Sequence, residues 1–316
     1  MKTHIITIFD KHHLGRAACL RHSLSQHAPN THVRFLCLDQ ISHDIAKKMN
    51  LKETTVMRPE DLNDKELLIS RLSRTNPEFA STAKPAFLRF MLNSGIVGKE
   101  DLLVFIDPDF LFYNSPEPLF EKAYKSGSVV ITPHRFPKRR ESEKNAKGTY
   151  NAGIIFLKND ESAKKCLNDW RLQCIDWCYL RFEDGKIGDQ GYMNDWPKKY
   201  KDIYELWDKE VNLSNWNIEN YKITEKNGNF FVDEKPLICY HFHGLKIYFN
   251  NSNSLKAYPV TVYHLGIYEK YIKELGSAYK KIQEIEPSWQ FGSVPKLSLI
   301  RLTKQKIWKI LNLNKV

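Results

Sequence analysis

Apolar and polar positions along the first forty residues follow two different spacings. Ile5 to Phe9 is a short β-branched and apolar run, Leu14 to His27 has helical spacing, and Val33 to Leu38 is strand-like again. A strand, a helix and a second strand in this order favour a parallel sheet with helices on its faces. We therefore expect an α/β fold that opens with a β-α-β unit.

A second helix and the most apolar strand follow. Ser81 to Leu92 carries an apolar helical face, and an uninterrupted apolar run extends from Leu102 to Ile106. Such a run is typical of a central strand buried on both faces. It ends at Asp107-Pro108-Asp109, and Pro108 cannot donate a ladder hydrogen bond. The two carboxylates therefore fall at the strand end, which is where open α/β sheets bind ligands.

The rest of the chain repeats this alternation less regularly. We expect strands at 129–132, 152–157 and 237–242, a helix at 163–177, a short helix from Asp189 and helical structure after Tyr258. The stretch from His134 to Asn151 is rich in Lys and Arg, and we interpret it as a mobile surface loop. The predicted architecture is a mostly parallel central sheet flanked by helices. A catalytic domain at 1–258 would be followed by a C-terminal helical extension at 259–316.

Composition narrows the class of protein. The 316 residues include 48 Lys and Arg against 37 Asp and Glu, a net charge of +11, and 42% are hydrophobic. A chain of this length can bury a large core, which excludes a disordered protein and a disulfide-stabilised miniprotein. No apolar run approaches the roughly 20 residues of a membrane-spanning helix. The N-terminus lacks the long apolar core of a signal peptide, so we expect a cytoplasmic protein.

Six cysteines are scattered along the chain. Disulfides are not expected in a reducing compartment. Cys174 and Cys178 form the one close pair, and they lie on the apolar stripe of a predicted helix. Free cysteine commonly packs as a small hydrophobic residue, so we expect buried thiols rather than a metal site.

The Asp-Pro-Asp segment is the first candidate for chemistry. Like charges this close raise each other's pKa, so Asp107 and Asp109 need a compensating cation. Carboxylates are hard oxygen ligands that suit Mg²⁺ or Mn²⁺, and Mg²⁺ is usually held by one or two of them together with substrate phosphates. An isolated Asp-x-Asp is often only a solvated turn. The buried strand that precedes this one favours a metal site.

Two further motifs lie nearer the C-terminus. Alternate residues of a strand share a face, so His241 and His243 can point into one crevice, and Gly244 lets a ligand approach the backbone. Asp189 and Gln190 begin a short helix in a turn bracketed by glycines. The alternatives are ordinary polar positions for the histidines and a simple N-cap for Asp189.

Taken in order, these motifs resemble those of nucleotide-sugar glycosyltransferases with the GT-A fold. The resemblance is closest to glycosyltransferase family eight and related bacterial polysaccharide and lipopolysaccharide transferases, and it covers about residues 1 to 250. The matching segments are Thr82 to Arg89 with the helix before the metal strand, Asp107-Pro108-Asp109 with the DxD, Tyr150-Asn151-Ala152-Gly153 with the YNAG-type strand start, Gly188-Asp189-Gln190 with the DQ turn and His241-x-x-Gly244 with the HxxG.

The resemblance implies a metal-dependent transfer of sugar from a nucleotide-diphosphate sugar, most simply a UDP-sugar. The acceptor would be a glycan or lipid-linked glycan in cell-surface polysaccharide synthesis, with retention at the anomeric carbon. It assigns Asp107, Asp109 and His241 to Mn²⁺ or Mg²⁺, with His243 as the reserve ligand. Asp189 and Gln190 would act on the sugar, and Arg89 on the diphosphate. The residues implied along the donor are Thr7, Phe9, Asp10, Arg89, Asp107, Asn151, Gly153, Gly244 and Lys246.

Two other functions compete with this interpretation. A sugar nucleotidyltransferase would be expected to have a Gly-rich loop after the first strand, where this chain has Phe9-Asp10-Lys11-His12-His13. A nucleic-acid-binding protein would explain the basic charge. That charge is concentrated in two segments without a recognisable nucleic-acid module, so we expect no nucleic-acid partner. A catalytically inactive sugar-binding relative is disfavoured by the intact carboxylate pair.

The C-terminal segment from Lys296 to Val316 carries six Lys and Arg and no acidic residue. Cationic residues with Trp308 and several leucines and isoleucines are typical of attachment to an anionic membrane surface. We interpret the segment as a peripheral anchor at the inner face of the membrane. A terminal helix packed on the domain is the alternative.

Overall fold

The computed structural model describes residues 1–249, 255–257 and 265–294. Within these residues the helices are Leu14–His27 (α1), Gln40–Met49 (α2), Lys65–Ser70 (α3), Asn76–Asn93 (α4), Glu117–Ser126 (α5), Glu143–Lys147 (α6), Glu161–Asp176 (α7), Trp196–Lys199 (α8) and Leu265–Ile285 (α9). Short 3₁₀ helices lie at Pro59–Leu62, Arg71–Ser73, Lys138–Arg140, Gln190–Asp195 and Ile218–Asn220.

The strands in the same part of the chain are Thr3–Phe9 (β1), His32–Cys37 (β2), Thr54–Met57 (β3), Leu102–Ile106 (β4), Phe110–Phe112 (β5), Val129–Pro133 (β6), Tyr150–Lys158 (β7), Ile203–Glu205 (β8), Leu213–Ser214 (β9), Ile223–Lys226 (β10), Asn229–Val232 (β11), Lys235–Pro236 (β12), Cys239–His241 (β13), Ile247–Phe249 (β14) and Leu255–Ala257 (β15). The expected α/β alternation is therefore confirmed.

Seven of these strands form the main sheet in the order β3-β2-β1-β4-β7-β6-β8. β1 to β4 are parallel, β7 runs against both of its neighbours, and β6 and β8 are parallel to each other. The carboxyl ends of β1, β4, β6 and β8 consequently meet the first residues of β7 at one edge of the sheet. β4 is the fourth of seven strands and all five of its residues are buried, as its apolar run predicts.

Helices cover both faces of this sheet, and successive residues of β1 divide between two cores. Ile5 packs into the core formed with α1, α5 and α9, whereas Ile6 packs into the core formed with α4 and α7. Both faces of the central strands are therefore removed from water, which is why the sequence of β4 is continuously apolar instead of alternating.

Local capping signals set the helix boundaries. α4 begins at Asn76, five residues before the predicted start. Thr75 and Glu78 form a capping box there, in which the Thr75 N–H donates to the Glu78 carboxylate at 2.9 Å. Asp160 caps α7 by accepting from the N–H of Ala163 at 2.9 Å. Such bonds satisfy amides that have no partner inside the helix.

The polar stretch from His134 to Asn151 is not an exposed loop throughout, which corrects the prediction. His134, Arg135 and Phe136 are buried, and α6 lies within the stretch. The Arg135 guanidinium donates to backbone carbonyl oxygens of residues 208 to 212. Irregular backbone needs such donors when it is buried, and an arginine can supply several at once.

α9 packs against α1 and α2 and completes the core on that face of the sheet. Past α9, the N–H of Val294 donates to the carbonyl oxygen of Ile247 at 2.8 Å, so the chain returns to β14. The boundary predicted at residue 258 and the basic segment 296–316 lie outside the described residues and stay predictions.

All six cysteines fall within the described residues, where they are buried and unpaired, as expected. No helix in the described part of the chain is both long and apolar enough to cross a membrane.

Candidate active site

The candidate site forms where the chain leaves the main sheet for a smaller one. The N–H of Asp107, just after β4, donates to the carbonyl oxygen of Gly153 on β7 at 2.8 Å. A proline then interrupts the ladder, and Phe110 begins β5. This strand pairs with β13 in a register that sets Phe110 opposite His241. The Asp-Pro-Asp segment thus connects two sheets and places Asp109 beside His241.

Two carboxylates and two imidazoles converge at this junction. Nε2 of His241 lies 3.1 Å from Oδ1 of Asp109 and 3.9 Å from Oδ2 of Asp107. One ligand atom each from Asp109, His241 and His243 lie within 4.8 Å of one another. His243 is the exposed member of this group and lines the crevice with the others. The structure therefore brings the predicted ligands and the reserve ligand together.

The His241 ring is held in one orientation. It is buried, and it stacks on Phe110 with 4.3 Å between ring centroids. Its Nδ1–H donates to Oδ1 of Asn212 at 3.3 Å. The amide of Asn212 is oriented in turn because its Nδ2 donates to Thr132 at 2.8 Å and to Asn151 at 3.1 Å. In a neutral imidazole ring, a hydrogen bond donated by Nδ1 leaves Nε2 as the nitrogen that can bind a metal.

The free nitrogen of His241 shows that this donor set fits a divalent cation. Nε2 is buried and makes no hydrogen bond within the described structure, although it faces two carboxylates. Lone pairs that face one another repel unless a cation lies between them. Burial also raises the pKa of Asp107, and the neighbouring Asp109 adds to this effect. Carboxylate oxygens with an imidazole nitrogen are ligands that bind Mn²⁺ and related ions.

Glycine at position 153 makes room for this histidine. A Cβ atom there would lie 2.7 Å from Cε1 of His241 and 2.7 Å from Oδ1 of Asn151. A Cβ atom does not come this close to other atoms in real proteins, so only glycine fits between the side chains of Asn151 and His241. Asn151 and Gly153 both line the crevice on the side away from β1.

Lys84 on α4 is a buried cation of the site. Its Nζ lies 2.7 Å from Oδ2 of Asp189 and 3.6 Å from Oδ1 of Asp107, and it donates to the carbonyl oxygen of Ala152 at 3.0 Å. Burial alone would lower the pKa of a lysine, but the two carboxylates raise the pKa of Lys84 above its usual range. Lys84 therefore stays charged and links the end of β4 to the DQ turn.

Asp189 does not act as a helix cap. Its carboxylate makes no hydrogen bond to the amides of the 3₁₀ helix that follows, and it pairs with Lys84. Its carbonyl oxygen accepts from Nε1 of Trp170 at 2.9 Å, which fixes the turn. Gln190 donates to the carbonyl oxygen of Lys147 at 2.7 Å. Asp189 and Gln190 both line the crevice, so the capping alternative is excluded.

Arg89 lies elsewhere, which corrects the expectation of a diphosphate contact. It is exposed, and its Nε donates to Oδ1 of Asn168 on α7 at 2.6 Å. Residues five apart in a helix are rotated by roughly 140° around its axis, so Arg89 cannot share the face of Lys84. The sequence did contain a signal for Lys84, because this lysine lies among small and apolar residues. In the structure, positions 82–86 are all buried.

The end of β1 reaches the crevice only at its last residues. Phe9 and Asp10 are among the lining residues. Thr7 is fully buried within the sheet, opposite Phe35 of β2, and does not line the crevice. Asp10 is tied down by the N–H of His12 and by Nδ1 of His13, each at 3.0 Å.

The loop after β13 contains the remaining predicted residues. Gly244 has a φ of +69°, a left-handed conformation that favours glycine. Lys246 is exposed and is not among the residues that line the described crevice. Arg16 was missed by the sequence analysis. It is buried, donates to the carbonyl oxygen of Leu245 at 2.6 Å, and lies 4.0 Å from Oδ2 of Asp109.

The site consists of two adjoining crevices that share Asp107, His241 and His243. One, of about 170 Å³, extends toward the end of β1, and the other, of about 210 Å³, extends toward Asn151 and Asp189. A ligand that spans both would place its middle at the carboxylate pair. With a cation held at the carboxylates, the arrangement suits a molecule with a central anionic group and two different ends.

Comparison with known proteins identifies the family. The sequence matches the model described as glycosyl transferase family 8 over residues 4–246, so the chain belongs to glycosyltransferase family eight. It is 29% identical over 300 residues to the uncharacterized protein YfnD of Bacillus subtilis, covering 93% of this chain and 95% of that protein.

Solved structures agree on the fold. The galactosyltransferase LgtC, in complex with donor and acceptor sugar analogs, superposes with a TM-score of 0.53 at 14% identity over 87% of this chain and 95% of LgtC. The apo form of the glycosyltransferase GlyE of Streptococcus pneumoniae gives a TM-score of 0.52 at 14% identity over 94% of this chain and 66% of GlyE. The fold is therefore GT-A, and the chain is a nucleotide-sugar glycosyltransferase, which overturns the nucleotidyltransferase alternative.

Proposed function

We propose that this chain transfers a sugar from a UDP-sugar to a glycan or lipid-linked glycan during cell-surface polysaccharide synthesis, with retention at the anomeric carbon and with Mn²⁺ or Mg²⁺. The observation that carries the proposal is the convergence of Asp107, Asp109 and His241 at the junction of two crevices. A nucleotide-diphosphate sugar has the matching form, with a nucleoside and a sugar on either side of a diphosphate. LgtC, which shares the fold and was solved with donor and acceptor sugar analogs, supports the same class of substrates.

Asp107, Asp109 and His241 would hold the metal, with His243 at the rim. When bound, a divalent ion supplies Lewis-acid stabilisation of the negative charge on the departing nucleoside diphosphate. The crevice at the end of β1, with Phe9 and Asp10, would receive the nucleoside. Gly244 would let the backbone approach the phosphates, and Lys246, exposed on the same loop, would reach them only from outside the described crevices.

The other crevice would receive the sugar. Lys84 fixes the Asp189 carboxylate there through the ion pair at 2.7 Å, so that the carboxylate can stabilise positive charge developing at the anomeric carbon. Gln190 and Asn151 offer amide groups to sugar hydroxyls. A fixed charge that needs no rearrangement during the reaction is more effective in this buried position than it would be in water.

The basic segment 296–316 would attach the enzyme to an anionic membrane surface, where a lipid-linked acceptor is found. The support is its composition, because cationic residues near such a surface contribute about 1 kcal/mol each. Salt-sensitive cosedimentation with anionic liposomes that is lost on truncation after Pro295 would bear this out. Binding that survives truncation would refute it.

The proposed activity is tested by a hydrolysis screen. A panel of nucleotide sugars is incubated with the protein and Mn²⁺, and the released nucleoside diphosphate is measured. We expect one or a few UDP-sugars to be hydrolysed, with the signal lost in excess EDTA. Release that is equal with and without EDTA would contradict the metal assignment. Release from no member of the panel would contradict the donor class.

A further inference from the structure

An open cleft at the end of β8 has a chemistry that differs from the crevice at the carboxylates. Its volume is about 670 Å³, several times that of either half of the candidate active site. Trp207 and Tyr204 line it with 59% and 37% of their surface exposed, and Tyr221 and Phe136 lie along it. Exposed aromatic side chains that lie together, rather than singly, are candidates for a binding surface.

Polar groups surround these rings. Lys122 and Asp208 form an ion pair at 2.7 Å on one side, and Lys235 and Asn220 lie on the lining as well. Sugar rings present a face of C–H groups that packs on aromatic rings, while their hydroxyls bond to carboxylates, ammonium groups and amides. Aromatic rings interleaved with mixed polar groups therefore suit an oligosaccharide better than an apolar peptide or a purely anionic ligand.

The floor of the cleft is built from Arg135. This buried guanidinium donates to the carbonyl oxygens of Trp207 at 3.5 Å and Val211 at 2.6 Å, and lies 5.9 Å from the ring centroid of Tyr221. The side chain of Asn220 donates to the Arg135 carbonyl oxygen at 2.8 Å. The backbone that carries Trp207 is thus fixed, so the aromatic surface is in place before any ligand binds.

Two short connections join the cleft to the active site. Arg135 also donates to the carbonyl oxygen of Asn212 at 3.1 Å, and the side chain of Asn212 holds His241. On the other side, β6 lies between β7, which begins at Tyr150, and β8, which ends at Glu205 of the cleft, and Tyr150 precedes Asn151 of the sugar crevice. β6 and β8 end at the same sheet edge as β4. The cleft and the sugar crevice therefore lie along one edge of the sheet.

We propose that the cleft lined by Trp207, Tyr204 and Tyr221 is a subsite for the acceptor, and that it binds an oligosaccharide chain extending away from the reacting hydroxyl. The inference rests on the proposed function, because it assigns the acceptor class of the same enzyme. The proposed acceptor has several linked sugars, because a single sugar at the reaction centre would leave Trp207 without a contact.

Binding is measured without a donor, on an array of bacterial surface oligosaccharides together with the corresponding monosaccharides. We expect the wild type to bind a subset of the oligosaccharides and none of the monosaccharides. Trp207→Ala should weaken that binding about tenfold, because a lost aromatic contact is worth about 1.4 kcal/mol. Trp207→Phe keeps a ring in place and should retain most of the affinity.

Leu172→Ala is the matched control, because Leu172 is 57% exposed on α7 and outside the cleft. It should bind like the wild type, and all variants should unfold at the same temperature. The proposal is overturned if no oligosaccharide binds, if Trp207→Ala binds as well as Leu172→Ala, or if the wild type self-associates through Trp207. Donor hydrolysis by the wild type is scored separately, so failure of the donor assignment is not confused with failure of the cleft.

Discussion

Two ionic clusters of this chain differ in how completely protein groups satisfy their buried carboxylates. In the active-site cluster, the carboxylates of Asp107, Asp109 and Asp189 meet Lys84 and Arg16. In the second cluster, between α3 and α7, Arg171 meets the carboxylates of Asp64 and Glu66.

The second cluster is saturated by its own partners. Nε of Arg171 donates to Asp64 at 2.6 Å and its NH2 group to Glu66 at 2.8 Å, while Asp64 also accepts from the N–H of Leu67 at 3.1 Å. Burial alone would raise the pKa of Asp64, but Arg171 and this amide hold it below its ordinary value. The pKa of Asp107 moves in the opposite direction because burial dominates there. The structural pair satisfies the carboxylate of Asp64, whereas the candidate active site leaves Asp107 incompletely compensated, so that a cation can complete it.

The sharpest test of the difference is Asp109→Asn. We expect turnover to fall about a thousandfold, since a lost metal ligand removes several kcal/mol of transition-state stabilisation. The protein should still fold, and its thermal unfolding temperature should fall rather than rise, because His241 and Arg16 outweigh burial and hold the pKa of Asp109 well below its ordinary value. Nucleoside diphosphate release and a Mn²⁺ titration measure the first effect, and calorimetry the second. Full activity of this variant would contradict the assignment of Asp109 as a metal ligand.

Asp189→Asn should act on the sugar alone. We expect kcat to fall about a hundredfold with little change in the affinity for free nucleoside diphosphate, because the carboxylate lies in the other crevice. Steady-state kinetics and titration calorimetry with the diphosphate separate the two quantities. Equal losses in both would place Asp189 at the diphosphate instead.

Lys84→Met should lower both the stability and the activity of the protein. It leaves Asp107 and Asp189 without their shared cation, so we expect a loss of about 3 kcal/mol in the free energy of unfolding together with at least tenfold slower turnover. Arg89→Ala is the control on the other face of α4, and it should change neither quantity. Denaturant unfolding and donor hydrolysis of both variants provide the measurement. A larger effect at Arg89 than at Lys84 would reverse the assignment.

Asp64→Asn should change stability and leave the activity of the folded enzyme intact. Removing one partner of the buried pair should lower the free energy of unfolding by about 3 kcal/mol at neutral pH. Because the pKa of Asp64 is depressed in the folded state, its contribution is complete above the ordinary carboxyl pKa of about 4 and is lost as the pH falls below it. Urea unfolding of both proteins at a series of pH values checks the sign. A difference that grows on acidification would contradict it.

The sequence alone was sufficient for the features that depend on neighbouring residues. The apolar run of β4, the proline that ends it and the order of the motifs determined the α/β class, the central strand and the positions of Asp107, Asp109, Asp189 and His241. Capping and periodicity act over a few residues, so they can be read directly from the chain.

Only the tertiary structure decided which lysine or arginine contacts these carboxylates and which residue orients the imidazole of His241. Lys84 and Arg89 lie on the same helix, and the packing of α4 against the sheet and α7 determines which of them meets Asp189. Asn212 precedes its partner His241 by 29 residues and holds it through a contact between separate strands. The positions of such partners depend on how distant segments pack together, and no local pattern of residue types records that packing.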